Sequence, residues 1–182
     1  MPACVYDAIW DRNFTDYVTK WRTHADYAHG PTAALDWDWN AKRELLLRGQ
    51  DPSAQGLALE AEGETQGLVA IAGGQAAKLP SAAGKELLHV LFLEVAPWNQ
   101  RREGRKPRFS SVGSRLLVLG AIRQSFAKGY NGRIGLTSLP GAASFYRELR
   151  MTEVGSDGQY PNFELDEAVA REHALRSVLE RR

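Results

Sequence analysis

A decapeptide at residues 108–117, Arg-Phe-Ser-Ser-Val-Gly-Ser-Arg-Leu-Leu, has the residue types of an anion-binding loop. It follows the apolar run Leu87–Val95 and opens an apolar-periodic stretch. This is the order strand, loop with serine and glycine, helix. In that arrangement the unpaired backbone N–H groups at the start of the helix point toward a bound anion. Five basic residues lie in or beside it: Arg101, Arg102, Arg105, Lys106 and Arg108. The segment therefore predicts a site for a phosphate-bearing ligand.

The elements that would position this segment follow from hydrophobic periodicity and from Gly and Pro breakers. Helices are predicted over residues 13–29, 35–48, 111–128, 141–150 and 166–182. Strands are predicted as a hairpin over 56–72 that turns at 62–64, singly over 86–95 and 133–139, and as a second hairpin over 152–155 and 160–165. A loop is predicted over 73–84. This order predicts one mixed α/β (α+β) domain over residues 1–182.

Composition narrows the function classes. The chain has 182 residues, of which 43% are hydrophobic, and no apolar run approaches the roughly 20 residues of a membrane span. The N-terminus lacks a basic segment followed by an apolar block, so we expect a cytoplasmic protein with no membrane partner. Cys4 is the only cysteine, which excludes an internal disulfide. The histidines outside the strands have no metal-ligand spacing, so no metal is expected: His24, His29 and His173.

The net charge is +1, whereas residues 101–108 hold five basic residues and one acidic residue. The positive charge is therefore local, as in a phosphate pocket, rather than spread as in a nucleic-acid coat.

The chain resembles the GNAT superfamily of acyl-CoA-dependent N-acetyltransferases in two motifs. The family fingerprint is Arg/Gln-x-x-Gly-x-Gly/Ala at the start of the helix after its fourth strand. Arg108–Gly113 matches it, with Ser111 at the first glycine. Ala142–Met151 is similar to the family's later Ala-x-x-Phe-Tyr-x-x-x-Gly-Phe stretch, with Arg150-Met151 in place of Gly-Phe. The resemblance covers about residues 56–165.

The resemblance implies a single GNAT-like domain. Its central sheet would be mixed and mostly antiparallel, flanked by helices, with two parallel strands that splay apart at the CoA site and an extra C-terminal helix. Backbone groups of Leu93 and Val95 would contact the pantetheine arm of acetyl-CoA, the co-substrate. The pyrophosphate cradle would consist of Arg108, Phe109, Ser110, Ser111, Val112, Gly113 and Ser114. Ser111 can replace the glycine if its φ is negative.

The resemblance also implies catalytic roles. Tyr146 would protonate the departing thiolate of CoA, since a phenol of pKa ~10 and a thiol of pKa ~8.5 are close enough for proton transfer. His89 and Glu94, on the strand before the basic loop, are candidates for the base that takes the proton of the acceptor amine. Strand alternation places them on opposite faces, so at most one should meet the substrate directly.

The implied activity is transfer of an acetyl group from acetyl-CoA to a primary amine of a small molecule or protein. Two alternatives stay open: an RNA-directed toxin that acetylates aminoacyl-tRNA and binds it through loop 97–108, and a non-catalytic acyl-CoA-binding module. The C-terminal helix either covers the core or serves a homodimer. Aromatic residues are the candidates for the acceptor site: Trp37, Trp39, Tyr160 and Phe163.

Overall fold

The computed structural model describes residues 5–8, 11–25, 39, 42, 53–100 and 104–179. Its strands are β1 Val5–Ala8, β2 Gln55–Ala61, β3 Glu64–Ala76, β4 Glu86–Val95, β5 Ile134–Thr137, β6 Thr152–Asp157 and β7 Tyr160–Leu165. Its first helix, α1, is Asp11–Asp16 and continues as a π-helical turn Tyr17–Trp21. The last two helices are α3 Ala143–Glu148 and α4 Glu167–Leu179. Helix α2 has three consecutive parts: Val112–Arg115, a π-helical segment Leu116–Ile122, and Arg123–Ala127.

The strands form one sheet in the order β1-β2-β3-β4-β5-β7-β6. The β4–β5 pair is parallel, and the β1–β2, β5–β7 and β6–β7 pairs are antiparallel. This mixed sheet with its helices confirms the predicted fold class. Strand β1 was missing from the prediction, because four residues are too short an alternation to identify a strand. Only its pairing with β2, from Val5 opposite Glu60 to Ala8 opposite Leu57, makes it one.

The predicted hairpin over 56–72 is confirmed as β2 and β3. Glu62 and Gly63 form its two-residue turn with φ of +55° and +72°, as type I′ hairpins require. Strand β3 continues to Ala76, so the loop predicted from Gly73 onward is wrong at its start. Gly73 serves close packing instead, because a Cβ there would lie 2.5 Å from the Tyr130 hydroxyl oxygen.

The other elements agree with the sequence in most places. Strand β4 matches its prediction, and the helices after it begin and end within about two residues of theirs, except that the predicted end of the last helix at residue 182 lies outside the described residues. The first predicted helix ends earlier than expected, because the Arg22 N–H donates to Tyr17 O at 3.0 Å and residues 22–25 form turns. The helix predicted over 35–48 lies outside the described residues, apart from Trp39 and Lys42.

The chain divides into two compact units, each with its own core. Unit 1 holds residues 1–70 and 93–116, and unit 2 holds residues 71–92 and 117–182. The largest buried side chains described in unit 1 are Tyr17, Trp21, Trp39, Leu59 and Leu68. Those in unit 2 are Ile71, Leu88, Leu117, Ile122, Ile134 and Phe163.

The parallel pair β4–β5 is short. Within the described residues it contains Leu88–Ile134, His89–Gly135 and Val90–Leu136, whereas β4 continues to Val95. Among the described residues the rest of β4 has no pairing with β5, which ends at Thr137. The splay of these two strands stays a prediction. Leu93 and Val95 lie on this part of β4.

Candidate active site

The start of helix α2 presents a row of backbone donors. The Arg108 N–H donates to Trp98 O at 3.0 Å and the Phe109 N–H to Asn99 Oδ1 at 2.9 Å. The helical pattern begins with the Arg115 N–H, which donates to Ser111 O at 3.0 Å. Between them, no described residue accepts from the N–H groups of residues 110–114. Five of the seven backbone N–H groups of the predicted cradle, all but those of Arg108 and Phe109, are therefore available to an anion.

Ser111 has the backbone conformation of the glycine that it replaces. Its φ is +63° and its ψ is +20°, so the condition of a negative φ is not met and the serine adopts the left-handed conformation instead. A left-handed residue followed by helical residues makes a concave nest of N–H groups, the arrangement that binds anions in phosphate loops. A serine there is strained, and such strain persists where the surroundings enforce it. The Ser114 hydroxyl donates to Ser111 O at 3.0 Å and supports the turn.

Two buried amides, which the sequence did not single out, hold the cradle in place. Asn99 turns its Oδ1 to the Phe109 N–H and its Nδ2 to Gln66 Oε1, at 2.9 Å each. Gln66 Oε1 also accepts from the Trp98 indole N–H at 2.8 Å, while its Nε2 donates to Ala61 O at 3.1 Å. A buried polar network of this kind fixes one geometry, because each unmade bond is costly. No local sequence pattern marks such residues, since their partners are distant in the chain.

Arg108 is already paired within the protein. Its guanidinium contacts Glu62 at 2.6 Å and Glu64 at 2.7 Å, and these carboxylates raise the pKa of Arg108. The positive charge predicted beside the cradle is thus partly neutralised. Arg105 and Lys106 are exposed, and Arg101 and Arg102 lie outside the described residues.

Glu94 lies buried on β4 in unit 1. The Trp39 indole N–H donates to its Oε2 at 2.5 Å, and Oε1 has no hydrogen-bond partner among the described residues. Burial raises the pKa of Glu94 to about 8, although Lys42 and the Trp39 hydrogen bond oppose the rise. Glu94 therefore carries its proton at neutral pH.

His89 lies five residues earlier, in unit 2, and borders a small cleft of about 40 Å³. Burial lowers the pKa of His89, and the nearby Lys78 lowers it further, against the opposing effect of Glu164. Its imidazole is therefore neutral at pH 7 and able to accept a proton. Lys78 and Glu164 border the same cleft.

Tyr146 lies on α3 with 8% of its surface exposed. Its ring packs against Phe145 and Phe163, with centroids 5.1 Å and 5.8 Å away, and no described residue hydrogen bonds its hydroxyl. Burial raises the pKa of Tyr146 to about 12, so the phenol stays protonated throughout the physiological range. Tyr146 therefore holds its proton more tightly than a phenol with the ordinary pKa of ~10 does.

Comparisons with solved structures identify this architecture. The N-acyl amino acid synthase FeeM, from uncultured soil microbes, superposes with a TM-score of 0.60 at 16% identity, covering 98% of each chain. The PaiA N-acetyltransferase of Thermoplasma acidophilum, in complex with coenzyme A, gives 0.54 at 13% identity over 89% of this chain and 98% of its own. The AtaT toxin, as a Tyr-to-Phe mutant bound to the C-terminus of the antitoxin AtaR, gives 0.59 at 11% over 93% and 95%.

The chain has the GNAT acetyltransferase fold. No protein-family model and no curated protein sequence matches it. The likeness therefore establishes the GNAT fold, while the chemistry must be argued from this chain's own residues.

The second departure from the GNAT fingerprint also keeps the glycine conformation. Arg150, where the family has glycine, has φ +61°. The Arg150 N–H donates to Arg147 O at 2.8 Å, and the Met151 N–H donates to Tyr146 O at 3.1 Å. These two bonds form a Schellman motif, which ends α3 and would normally use glycine at this place.

The candidate residues of this GNAT fold fall in both units. Leu93, Glu94, Val95 and the cradle residues belong to unit 1, and His89 and Tyr146 belong to unit 2. Among the acceptor candidates, Trp39 and Phe163 are buried, Tyr160 is half-buried, and Trp37 lies outside the described residues. In the described part of the chain, no three metal-ligating side chains cluster, and no helix is both long and apolar enough to span a membrane.

Proposed function

We propose that the chain is an acyl-CoA-dependent N-acetyltransferase that moves an acetyl group from acetyl-CoA to a primary amine. The observation that supports this most directly is the cradle, where five consecutive N–H groups surround a left-handed Ser111. Such a nest at a helix start suits the doubly charged pyrophosphate of CoA. Leu93 and Val95, on the part of β4 that β5 leaves unpaired, are suited to backbone bonds with the pantetheine arm.

The proposed chemistry is direct transfer. Acetyl-CoA supplies a thioester carbon that an amine can attack, and a backbone N–H near Val95 would polarise its carbonyl. As the N–C bond forms and the C–S bond breaks, the base takes a proton from the acceptor nitrogen. Tyr146 gives its phenol proton to the sulfur and recovers one from solvent. Because its pKa is about 12, this acid is fully protonated at every working pH.

We assign the base to His89 rather than Glu94. A base must be unprotonated before it acts, and a lowered pKa keeps the His89 imidazole neutral at pH 7. The raised pKa of Glu94, about 8, leaves most molecules protonated at that pH. Trp39 also occupies one oxygen of Glu94.

Replacing Tyr146 by Phe tests the proposal. CoA should raise the melting temperature of the parent chain and of Tyr146→Phe equally, because ligand binding to the native state stabilises it. The variant should lose about 100-fold or more in kcat across an amine panel, a usual effect of removing a general acid. Tyr130→Phe, which removes a phenol hydroxyl outside the proposed site, should retain activity. No CoA-dependent stabilisation would refute the whole proposal, whereas binding without transfer would indicate a non-catalytic acyl-CoA-binding module.

An RNA-directed acetylating toxin is a second candidate. The observations that favour it are the basic residues of loop 97–108 and the likeness to a toxin at 11% identity. The pairing of Arg108 with Glu62 and Glu64 counts against it, since that pairing removes one phosphate-binding cation. This candidate predicts RNA binding that weakens steeply between 50 and 200 mM salt. Salt-insensitive or absent RNA binding would exclude it.

A further inference from the structure

The cleft beside His89 contains an unsatisfied donor. Asn162, on β7, is 7% exposed and lines the cleft. Its Oδ1 accepts from the Thr137 hydroxyl at 2.7 Å, which orients the amide, and its Nδ2 has no acceptor among the described residues. A buried amide N–H left unpaired is costly, and this cost is recovered when a ligand oxygen accepts from it. Asn162 therefore calls for a ligand with a carbonyl or carboxylate oxygen.

Two opposite charges border the same cleft. Lys78, in the segment after β3, supplies an exposed ammonium group. Glu164, on β7, is buried, and its carboxylate is held by the backbone N–H groups of Lys78 and Leu79 at 2.8 to 3.0 Å. Three backbone bonds fix this carboxylate in place without adding a positive charge. The cleft thus offers one cation and one anion at defined places, which complements a zwitterion better than a singly charged molecule.

The strand register sets the spacing of these groups. His89 on β4 and Glu164 on β7 are both opposite Gly135 on β5. The Leu87 methyl groups lie over this glycine, 3.1 and 3.2 Å from where a Cβ would be, and form the floor between the two side chains. The Cα atoms of His89 and Glu164 are then about 10 Å apart, because neighbouring strands lie roughly 4.8 Å apart. Asn162 is two residues from Glu164 on the same face, about 7 Å along the strand. The amine and carboxylate of an α-amino acid fit between groups at this spacing.

We propose that the acceptor is a free α-amino acid, which this cleft binds as a zwitterion. Its carboxylate accepts from Asn162 Nδ2 and pairs with Lys78, and its ammonium group lies toward Glu164 and His89. The side chain points out of the cleft, because a volume of about 40 Å³ holds only the head group. The proposal rests on the proposed transferase function, whose base it places beside the amine.

Binding of a matched ligand series tests the cleft without any acetyl transfer. In titration calorimetry we expect L-alanine to bind about tenfold or more tightly than L-alaninamide or ethylamine, which lack the carboxylate. Asn162→Asp should weaken alanine binding about tenfold or more, because it replaces the donor by a like charge. Lys78→Gln should weaken it about tenfold. The matched controls are Gln159→Glu, the same amide-to-acid change at an exposed turn, and Lys128→Gln, an exposed lysine outside the cleft; both should bind alanine like the parent.

The outcomes separate this inference from the proposed function. If ethylamine is acetylated as fast as alanine, the proposed transferase activity stands and the proposed amino-acid site is wrong. Alanine binding with no transfer to any amine would keep the cleft and overturn the transferase. A preference for alanine methyl ester over alanine would overturn the free amino acid in favour of an aminoacyl acceptor. If Asn162→Asp fails to fold, Lys78→Gln decides, because its exposed side chain can change while its backbone N–H still holds Glu164.

Discussion

Two titratable side chains of strand β4, His89 and Glu94, have different surroundings. Near its start, in unit 2, His89 borders an open cleft and has a lowered pKa. Near its end, in unit 1, Glu94 is buried, accepts a hydrogen bond from the Trp39 indole N–H and has a pKa raised to about 8. Burial disfavours the charged form of both groups, so the histidine loses its proton and the glutamate keeps its own. The same physical effect thus leaves the histidine able to accept a proton at pH 7 and leaves the glutamate protonated.

Replacing each residue by glutamine should separate the two most strongly. His89→Gln removes the proposed base, and we expect kcat to fall about 100-fold or more, measured with alanine and acetyl-CoA at pH 7. Glu94→Gln imitates the protonated acid and leaves an oxygen for the Trp39 N–H, so its kcat should stay within about threefold of the parent. CoA-dependent melting shifts check that both variants fold. A collapse of activity in Glu94→Gln with His89→Gln spared would reverse the assignment.

The pH dependence of kcat/KM should show which group acts as the base. With His89 as the base, activity falls about tenfold per pH unit below a midpoint that lies under 6.5, the ordinary value from which its pKa is lowered. The charged groups that face His89 are Lys78, which lowers its pKa, and Glu164, which opposes that shift. With Glu94 as the base, the midpoint would instead lie near pH 8. The residual activity of His89→Gln should no longer fall at low pH.

These contrasts were only partly readable from the sequence. Strand alternation predicted different surroundings for His89 and Glu94, and they have them. Alternation could not predict which of the two residues borders the cleft, because that depends on residues far away in the chain. Trp39, which covers Glu94, lies 55 residues before it, and Asn162, which lines the cleft beside His89, lies 73 residues after it. The pKa of Tyr146 was out of reach for the same reason, since its rise comes entirely from burial among distant residues.

The fold itself was more accessible. Strand β4 was predicted to the residue, because an almost unbroken apolar run between polar loops leaves little choice. Strand β1 and the network of Asn99 and Gln66 were missed, since each is defined by pairing across the fold rather than by a local pattern. Ser111 was recognised as a departure from the fingerprint, but the negative φ that was set as the condition for its substitution is not what the backbone has. The backbone there follows the cradle's requirement and overrides the preference of serine.

The buried state of Glu94 should appear in the pH dependence of stability. Its pKa is about 8 in the folded chain and near 4.5 when unfolded, so the folded state holds the proton between these values. Glu94 stabilises the fold most below pH 4.5, and the contribution is lost as the pH rises to about 8, by at most about 1.4 kcal/mol per pH unit. In urea unfolding from pH 5 to pH 9, Glu94→Gln should become steadily more stable relative to the parent up to pH 8. A constant difference would mean that Glu94 is ionised in the fold.

The smallest expected effects concern one left-handed residue in each unit, Ser111 and Arg150. A non-glycine residue in this conformation costs about 1–2 kcal/mol, while glycine loses about 0.5–1 kcal/mol more backbone entropy on folding. Ser111→Gly should therefore stabilise the chain by about 0.5–1 kcal/mol and keep its CoA affinity. Ser111→Val, whose branched side chain resists a positive φ, should weaken CoA binding about tenfold.

Arg150→Gly should stabilise the chain less, because it also removes the exposed ion pair with Glu172, worth up to about 1 kcal/mol. Glu172→Gln removes the same ion pair and isolates its contribution, so the difference between the two variants measures the backbone strain alone. CoA affinity should be unchanged in both. If Arg150→Gly altered CoA binding as Ser111→Val does, the turn after α3 would take part in the site. Arg150 would then contribute to ligand binding as well as ending helix α3.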